Sequence, residues 1–323
     1  MALGQLVNGQ WTSKRQQDDE QGRFLRPPTR FRNWITQDGE QGFPPEVGRY
    51  HLYVSYACPW AHRTLIMRAL KGLEQAISIS VVDPYMGDEG WFFSQAPGCI
   101  PDTVNGTTYV RDLYLKVDPQ MTGRVTVPIL WDQQQQTIVN NESREIIRML
   151  DWAFFPGGKI EDGDKDGNED GDRNFCPQDL QERVDHTIDA IYDPINNGVY
   201  RAGFATTQGA YEDAVNELFA ALDHWEAVLE EQDYLCGDRL TEADICLFTT
   251  LIRFDAVYYG HFKCNRRHIW DYPQLWDYVK RIYHHPGVKE TCNFEHIKTH
   301  YYRSHNSINP TGIVPVGPDL PLS

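Results

Sequence analysis

The sequence predicts an α/β domain followed by an all-α domain. In the first half of the chain, short segments rich in β-branched and aromatic residues alternate with segments whose apolar residues recur at helical spacing. Their order is β-α-β, a long connection and then β-β-α, which is the order of elements in a thioredoxin-like domain. The second half carries helical patterns separated by turn residues. The length of 323 residues is enough for about two domains of typical size.

Each element of the first domain follows from its local pattern. The first helix is expected to end near Gly72, because glycine is common just after a helix C-terminus. The long connection shows little periodicity, and its length alone favours a functional loop region. In chain order, we predict a strand in residues 50–57, a helix in 60–73, a strand in 77–82, the connection over 84–122, strands in 125–132 and 137–141, and a helix in 142–154.

The second domain is predicted from four helical patterns, which occupy residues 179–200, 211–232, 241–259 and 272–285. A stretch rich in Asp and Gly precedes them, and both ends of the chain are polar and rich in turn residues. The predicted division is an N-terminal arm in 1–48, a thioredoxin-like domain in 49–155, an acidic linker in 156–178, an all-α domain in 179–300 and a C-terminal tail in 301–323.

The composition disfavours several classes of function. A formal net charge of −16 argues against a nucleic-acid partner, because contacts to phosphate backbones need basic surfaces. No apolar run approaches the roughly 20 residues that a membrane span requires. The first residues lack an apolar signal core, so we expect a cytoplasmic protein. The seven cysteines include no C-x-x-C pair, which disfavours a disulfide framework and a zinc site.

Two patterns imitate metal sites. The linker spaces Asp162, Asp164 and Asp166 like a calcium loop, but Arg173 stands where an EF-hand needs a bidentate glutamate. A solvated acidic linker is the better interpretation. The two histidines at 284–285 lack a third convergent ligand. We therefore expect no metal.

The stretch "VSYACPWAHR", residues 54–63, raises the question of function. A proline after Cys58 fits the first turn of a helix, because its missing N–H would have no partner there. Cys58 is thus predicted at the N-cap, where free amides and the helix dipole favour the thiolate and lower the pKa. His62 and Arg63 would add positive charge if they faced the sulfur. The alternative is an ordinary buried thiol; the strand–Cys-Pro–helix context favours a nucleophile.

A second segment completes the candidate site. In thioredoxin-like folds the residue before the proline of "TVP" pairs its backbone with an extended peptide, and we expect the Val127-Pro128 bond to be cis. Farther on, Glu142 and Ser143 open a helix. Glu142 can bind an ammonium group, and Ser143 can donate to a carboxylate at the positive helix end. The same two residues also fit an ordinary helix N-terminus, and both interpretations can hold at once.

These motifs resemble those of the glutathione transferase superfamily, and specifically of the glutathionyl-hydroquinone reductases, the Xi class. The resemblance covers most of the chain and implies the glutathione transferase fold, with the 49–155 domain binding glutathione and the 179–300 domain binding the second substrate. The matching segments are "SYACPWAHR", "GWFF", "GRVTVPILWD", "NNESREII", "NNGVYRAGFATTQGAY", "LTEADICLF" and "HYYRSHNSINPTGIVPVGP". The first and the last of them are the most specific to this class.

The resemblance assigns roles to the matching residues. Cys58 would be the nucleophile and Tyr200 the acid/base, while Tyr258 and Tyr301 would donate to the Cys58 sulfur. The chain has 17 tyrosines, so these three could not be selected without the resemblance. Glutathione would be held by Trp91, Arg124, Val125, Thr126, Val127, Glu142 and Ser143.

The implied reaction is reduction of glutathionyl-hydroquinones to hydroquinones through a Cys58–glutathione mixed disulfide, with release of oxidised glutathione. Glutathione is then a co-substrate, and no bound cofactor is expected. The family resemblance also suggests a homodimer. One alternative stays open: a broader glutathione-dependent thiol oxidoreductase, acting on dehydroascorbate or mixed disulfides, would need only Cys58 and the glutathione site.

Overall fold

The computed structural model of the protein describes residues 4–13, 19–154 and 174–322. The acidic stretch considered as a calcium loop, residues 162–173, lies outside these ranges. Within them, no helix is long and apolar enough to cross a membrane. The same ranges contain no group of three or more His, Cys, Asp or Glu side chains placed to hold a metal ion.

The α/β part is built on a four-stranded mixed sheet. Its elements are β1 (Gln5–Val7), β2 (Gln10–Thr12), β3 (Tyr50–Val54), α1 (Pro59–Leu70), β4 (Ile77–Val81), α2 (Val110–Val117), β5 (Gly123–Arg124), β6 (Ile129–Asp132), β7 (Thr137–Asn140) and α3 (Ser143–Trp152). The strand order is β4-β3-β6-β7. β3 and β4 are parallel, which requires a crossover connection, and α1 supplies it.

The pairing of β3 with β6 determines where the candidate site forms. These strands are antiparallel, and Tyr53 lies opposite Ile129. The chain that leaves β3 therefore runs beside the chain that enters β6. As a result, the segment ending at Cys58 meets the segment that contains Val127. The predicted strand over 125–132 begins only at Ile129, directly after Pro128, which has no N–H to donate to a strand ladder. The Val127-Pro128 bond is cis, as expected.

The N-terminal arm contains a hairpin that the sequence analysis missed. β1 and β2 are joined at Asn8-Gly9, both with positive φ, as a two-residue hairpin turn requires. The Asn-Gly pair was the available signal. β1 also pairs with β5, so that Gln5 lies opposite Arg124. The start of the arm is thereby attached to the segment leading to Val127.

The long connection is less irregular than predicted. It contains α2, whose first turn is stabilised by the Asp112 carboxylate accepting from the Tyr109 N–H at 3.0 Å. The eight-residue helix is too short to give a clear periodic signal.

The second part of the described chain is helical, as predicted. Its elements are α4 (Gln181–Ile191), a π-helical turn (Tyr192–Asn196), α5 (Gly198–Gly203), α6 (Gln208–Val228), α7 (Glu242–Arg253), a second π-helical turn (Phe254–Tyr258), α8 (Tyr259–His261), a 3-10 turn (Ile269–Asp271), α9 (Pro273–Tyr283), a 3-10 turn (Lys289–Thr291) and α10 (Phe294–Ser304). Every residue of α7 is buried, and this helix packs against α1, α4 and α9.

The start of α7 is stabilised by the predicted capping box. The Asp244 carboxylate accepts from the N–H and the hydroxyl of Thr241, both at 2.8 Å. At the other end, α7 continues into the π-helical turn that presents Tyr258. Such turns are frequent at functional sites, because the extra residue redirects the side chains that follow.

Candidate functional site

Cys58 occupies the predicted position at the strand–helix junction. It is the N-cap of α1, and Pro59 is the first helical residue. The turn is held by two hydrogen bonds, from the Cys58 N–H to the Ser55 carbonyl at 3.2 Å and from the Ala57 N–H to Ser55 Oγ at 3.2 Å. The Cys58 thiol donates to the Val127 carbonyl, with Sγ 3.6 Å from the oxygen. The two predicted halves of the site are therefore in contact.

The electrostatic environment of Cys58 differs from the sequence prediction. Burial raises the pKa of the thiol, and this outweighs the amides of Ala61 and Trp60 and the guanidinium groups of Arg26 and Arg253, which lower it. The expectation of a lowered pKa is therefore wrong for the protein alone. The N-cap amides contribute as predicted, but desolvation of the sulfur is the larger effect. The side chain nevertheless remains partly accessible to solvent.

Neither His62 nor Arg63 supplies the positive charge considered in the sequence analysis. Burial holds the pKa of His62 well below its usual value, so the ring is neutral. Arg63 points toward Ser143, with Nη1 3.3 Å from the serine Oγ. The cations that act on the sulfur come from elsewhere in the chain. Arg26 lies on the N-terminal arm, and Arg253 is the last residue of α7.

The segment before β6 is arranged to offer main-chain groups. Among the described residues, the Val127 N–H donates to no intramolecular acceptor. Thr126 is anchored from behind, because its carbonyl accepts from the Tyr114 hydroxyl at 2.9 Å. Val125 and Val127 are buried, whereas Arg124 and Thr126 are partly exposed. This alternation leaves one face of the segment available to an extended ligand.

Glu142 and Ser143 stand at the start of α3, as predicted. Glu142 is the N-cap, and its carboxylate accepts from the Arg144 N–H and the Thr29 hydroxyl, each at 3.3 Å. These contacts are long, and the side chain is partly exposed, so the carboxylate can accept further donors. Ser143 is 2 % exposed.

A pocket of about 540 Å³ opens beside Glu142. Its wall is formed by the N-terminal arm, α3, α4 with the residue that follows it, and Arg63 of α1. Cys58 is not part of it. Several of its charges are paired, including Arg32 with Glu145 and Arg144 with Asp185. The charged residues of the wall are Arg26, Arg32, Arg63, Arg144, Arg148, Glu142, Glu145, Asp185 and Asp189. Such a mixture of signs suits a zwitterionic group.

Trp91 is 8 % exposed and stacks on His300 of α10, with ring centroids 4.7 Å apart. Its carbonyl accepts from the Val110 N–H at the start of α2. The indole therefore joins the loop of the α/β part to the last helix of the helical part. Its predicted contact with glutathione stays a prediction.

The three predicted tyrosines form one hydrogen-bonded chain. The Tyr301 hydroxyl bonds to that of Tyr258 at 2.9 Å and, at very short range, to that of Tyr200. Tyr258 and Tyr301 are fully buried, whereas Tyr200 is partly exposed and forms the open end of the chain. The structure brings these residues together although they lie on three separate elements.

The hydrogen-bond partners of the Tyr258 and Tyr301 hydroxyls differ from those expected. Tyr258 and Tyr301 were expected to donate to the Cys58 sulfur, but in the described residues they bond to phenols, and the thiol bonds to the Val127 carbonyl. The sulfur still acts on the chain at a distance. Burial is the main cause that raises the pKa of Tyr200, and the charge of Cys58 is the next. Tyr200 is therefore protonated at neutral pH and lies within the electrostatic range of the nucleophile.

Two residues of the site were missed by sequence reasoning. Arg253 could have been noticed as the one basic residue within the apolar pattern "LFTTLIRFDAVYY". Arg26 lies in an irregular segment with no periodicity, and its guanidinium stands 4.0 Å from the centre of the Trp60 ring. Only the three-dimensional structure reveals that both act on Cys58.

Comparison with known proteins agrees with this arrangement. Residues 57–152 match the family "Glutathione S-transferase, N-terminal domain", and residues 208–281 match "Glutathione S-transferase, C-terminal domain". The chain is 50% identical to glutathionyl-hydroquinone reductase YqjG of Escherichia coli, over 98% of this chain and 95% of the relative. It is also 50% identical to glutathionyl-hydroquinone reductase PcpF of Sphingobium chlorophenolicum, over 99% and 98% respectively.

Solved structures of glutathione transferases are also similar to this chain. A Xi-class glutathione transferase from Natrialba magadii superposes with a TM-score of 0.90 at 51% identity, covering 99% of this chain and 95% of that chain. The glutathione-bound structure of YqjG superposes with a TM-score of 0.86 at 47% identity, covering 99% and 97%. The chain therefore belongs to the Xi class of the glutathione transferase superfamily, the family of the glutathionyl-hydroquinone reductases.

Proposed function

We propose that this protein reduces glutathionyl-hydroquinones to hydroquinones at the expense of a second glutathione. The observation that supports this most is the arrangement around Cys58. Its sulfur contacts Val127, which offers main-chain groups, and the phenol chain that ends at Tyr200 lies within its electrostatic range. A thiol alone would suffice for disulfide exchange, but a proton carrier beside it is needed to release an aromatic ring.

The glutathionyl part is proposed to bind along the segment from Arg124 to Val127. Its peptide backbone would pair with Val127, and its γ-glutamyl end would reach the pocket beside Glu142. There the Glu142 carboxylate would bind the ammonium group, and the Ser143 hydroxyl with its N–H would donate to the carboxylate. Trp91 would lie against the ligand. This binding mode would bring the glutathione sulfur to Cys58, because the Cys58 thiol contacts the Val127 carbonyl.

In the first step, the aromatic ring must become a leaving group. One ring hydroxyl loses its proton and the carbon that bears sulfur gains one, which converts that part of the ring to a ketone. Cys58 thiolate then attacks the glutathione sulfur. The sulfur–sulfur bond forms, the carbon–sulfur bond breaks, and its electron pair leaves with the ring as an enolate. Uptake of a proton on oxygen yields the hydroquinone.

Tyr200 is proposed to move the proton at the ring hydroxyl. It is the partly exposed end of the phenol chain, so a ring in the site can reach it. Its hydroxyl is protonated at neutral pH, as an ordinary phenol is, and burial raises its pKa further. Tyr200 therefore acts as a relay: its oxygen accepts the proton of the ring hydroxyl while its own proton goes to the carbon that bears sulfur. Tyr301 and Tyr258 can hold or pass on the proton through their hydrogen bonds. A positioned acid/base of this kind contributes roughly 10²–10⁴-fold to a rate.

In the second step, the thiolate of another glutathione attacks the mixed disulfide. Oxidised glutathione leaves, and the Cys58 thiolate is regenerated by ordinary thiol–disulfide exchange. The two sulfurs are oxidised to a disulfide while the ring carbon is reduced, so the reaction balances with glutathione as the only co-substrate.

Replacing Tyr200 by phenylalanine separates this function from that of a broader thiol oxidoreductase. In Tyr200→Phe we expect turnover of a glutathionyl-hydroquinone to fall on the order of 10²–10⁴-fold, because the ring proton has no carrier. Reduction of a small mixed disulfide should persist, since a thiolate leaves without one. Both rates are measured on the same protein, with released glutathione disulfide as the readout.

Tyr211→Phe is the matched control. Its hydroxyl donates to the Lys263 carbonyl at 2.7 Å and, among the described residues, makes no hydrogen bond to the three phenols. It should retain both activities. Equal retention of both activities in Tyr200→Phe would instead favour the broader oxidoreductase.

Three further expectations remain proposals. We propose a homodimer and a cytoplasmic location, both from the family resemblance and the composition of the chain. We also propose that the glutathione-binding domain spans 49–155 and the substrate domain 179–300, joined by the linker in 156–178. The two family matches fall inside these domain ranges.

A further inference from the structure

Arg253 is a buried cation whose described partners are all uncharged. Its side chain is 0 % exposed. Nε donates to the Ala57 carbonyl at 3.0 Å, and Nη2 donates to the Tyr56 carbonyl at 2.8 Å. Nη1 donates to the Thr249 carbonyl at 2.7 Å and lies 2.9 Å from His62 Nδ1. Among the residues that the structure describes, no carboxylate bonds to it. A buried charge with no counter-ion is costly, so its retention needs a reason.

The hydrogen bonds of Arg253 connect the two halves of the proposed machinery. Tyr56 and Ala57 are the two residues directly before Cys58, so their carbonyls fix the turn that carries the nucleophile. Arg253 itself ends α7, and the next turn of chain leads to Tyr258. One side chain therefore holds the nucleophile of the α/β part in register with the phenols of the helical part.

His62 does not compensate this charge. Its Nδ1 accepts from Arg253, and its Nε2 lies 2.8 Å from the Thr291 hydroxyl. The ring is neutral, because burial and the nearby guanidinium both hold its pKa well below the usual value. The positive charge of Arg253 thus stays available to act on the site.

The groups within the electrostatic range of Arg253 come from every element packed around it. Its charge lowers the pKa of the Cys58 thiol and of each phenol in the chain, against the larger effect of burial. The groups it acts on are Cys58, His62, Tyr200, Tyr258, Cys292, His300 and Tyr301. Arg26 of the arm is a second cation that acts on Cys58. Arg253 is the only group common to the nucleophile and all three tyrosines in these described interactions.

We propose that Arg253 is the positioning residue of the site: it fixes the turn that carries Cys58, and its permanent charge serves as counter-ion for the anion formed there. During turnover a negative charge arises first on the thiolate and then on the departing enolate beside the phenols. A fixed cation within electrostatic range of the thiol and of the phenols stabilises both charges without moving. The inference rests on the proposed role of Cys58 as nucleophile, and it is independent of which aromatic substrate is used.

The test is the pH dependence of Cys58 alkylation in the wild type, Arg253→Gln and Arg253→Lys. Iodoacetamide is the probe, and digestion with mass spectrometry distinguishes Cys58 from the six other cysteines. In Arg253→Gln we expect the midpoint of the curve of Cys58 alkylation rate against pH to rise by about one pH unit. At a pH below the midpoint, this corresponds to alkylation that is about tenfold slower. The rate at high pH should stay at the wild-type plateau, because the thiolate itself is unchanged.

Arg253→Lys should give an intermediate midpoint. A lysine keeps the charge but is a point donor that cannot reach both carbonyls, and burial favours loss of its proton. If the glutamine variant does not fold, Arg253→Met, which also removes the charge, carries the test. Arg49→Gln is the matched control, because Arg49 is a buried arginine beside the opposite end of β3 and pairs with Asp132. It should lose stability and keep the Cys58 midpoint.

An unchanged midpoint in folded Arg253→Gln would overturn the inference. So would a wild-type midpoint in Arg253→Met, if that is the only neutral variant that folds. A lowered plateau with an unchanged midpoint would also overturn it, since that result indicates loss of access or packing alone. The assay contains neither glutathione nor a hydroquinone. A shifted midpoint in a protein that fails to reduce glutathionyl-hydroquinones would therefore refute the proposed function and leave this inference intact.

Discussion

At the N-cap of α1, Cys58 experiences two opposing effects. Burial raises the pKa of its thiol, while the amides of Ala61 and Trp60 and the cations Arg26 and Arg253 lower it. A bound glutathionyl group would bring a further set of dipoles to the same place. The reactivity of this residue is thus set by the whole pocket, and the position at a helix terminus contributes only one part of it.

Glu142 offers a direct test of the proposed glutathione site at the scale of one residue. In Glu142→Gln the carboxylate that would bind the γ-glutamyl ammonium becomes a neutral amide of the same shape. We expect the dissociation constant for glutathione to rise about tenfold or more, since a charge-assisted hydrogen bond contributes about 1.5–3 kcal/mol. Isothermal titration calorimetry on the Cys58→Ser background measures binding without chemistry.

Glu182→Gln is the control for that measurement. Glu182 also lies in the first turn of a helix, α4, but its side chain is exposed and lies outside the pocket. It should bind glutathione like the parent protein. Equal affinity in Glu142→Gln would show that the ammonium group binds elsewhere.

Among the elements, α7 is the one that connects the two parts of the molecule. Its first residue, Glu242, is fully buried and accepts from Arg148 of α3, with Oε2 2.7 Å from Nη2. Its last residue, Arg253, bonds to the turn before Cys58. The helix is therefore fixed to the α/β part at both ends, and this determines where the π-helical turn places Tyr258.

Replacing only Arg148 of the Arg148–Glu242 pair should lower the free energy of unfolding more than replacing both residues. In Arg148→Met, Glu242 stays buried without this partner, and we expect a loss of about 3–5 kcal/mol in the free energy of unfolding. The double variant Arg148→Met/Glu242→Leu should recover much of it, because no uncompensated charge remains. Urea unfolding measures both, and an equal loss in the single and the double variant would contradict the account.

The same pair predicts a pH dependence. Burial raises the pKa of Glu242 to about 7, and the charge of Arg148 opposes this. Below about pH 7 the carboxyl is protonated with or without Arg148. Above that pH, removing Arg148 raises the folded-state pKa further, so the cost of Arg148→Met to the free energy of unfolding should shrink as the pH falls from the alkaline side toward about 7. A cost that is constant over this range would mean that the charge of Glu242 is not its source.

At the scale of the whole molecule, much of the fold could be predicted from the sequence. The β-α-β and β-β-α units, the N-cap position of Cys58 and the Thr241–Asp244 capping box depend on local patterns, and the structure has each of them. The cis Val127-Pro128 bond, expected from the thioredoxin-like fold, is also present. The β1–β2 hairpin and α2 were missed, because three-residue strands and an eight-residue helix carry little periodic signal.

The electrostatics of the site could not be predicted in the same way. The pKa of Cys58 depends on how densely other elements pack around the sulfur, and the two cations that oppose this burial come from residues 26 and 253, far from it in sequence. The linkage of the three tyrosines likewise depends on tertiary packing, since Tyr200 and Tyr301 are 101 residues apart. Local sequence contains no information on such encounters.

The central claim, attack of Cys58 on a glutathione sulfur, is tested most directly by intact-mass spectrometry. The protein is mixed with a glutathionyl-hydroquinone in the absence of free glutathione, so that the second step cannot occur. We predict one added glutathionyl group on Cys58, one released hydroquinone per chain, loss of the adduct on adding glutathione, and no adduct in Cys58→Ser. Release of hydroquinone without an adduct on Cys58, or an undiminished reaction in Cys58→Ser, would contradict the account.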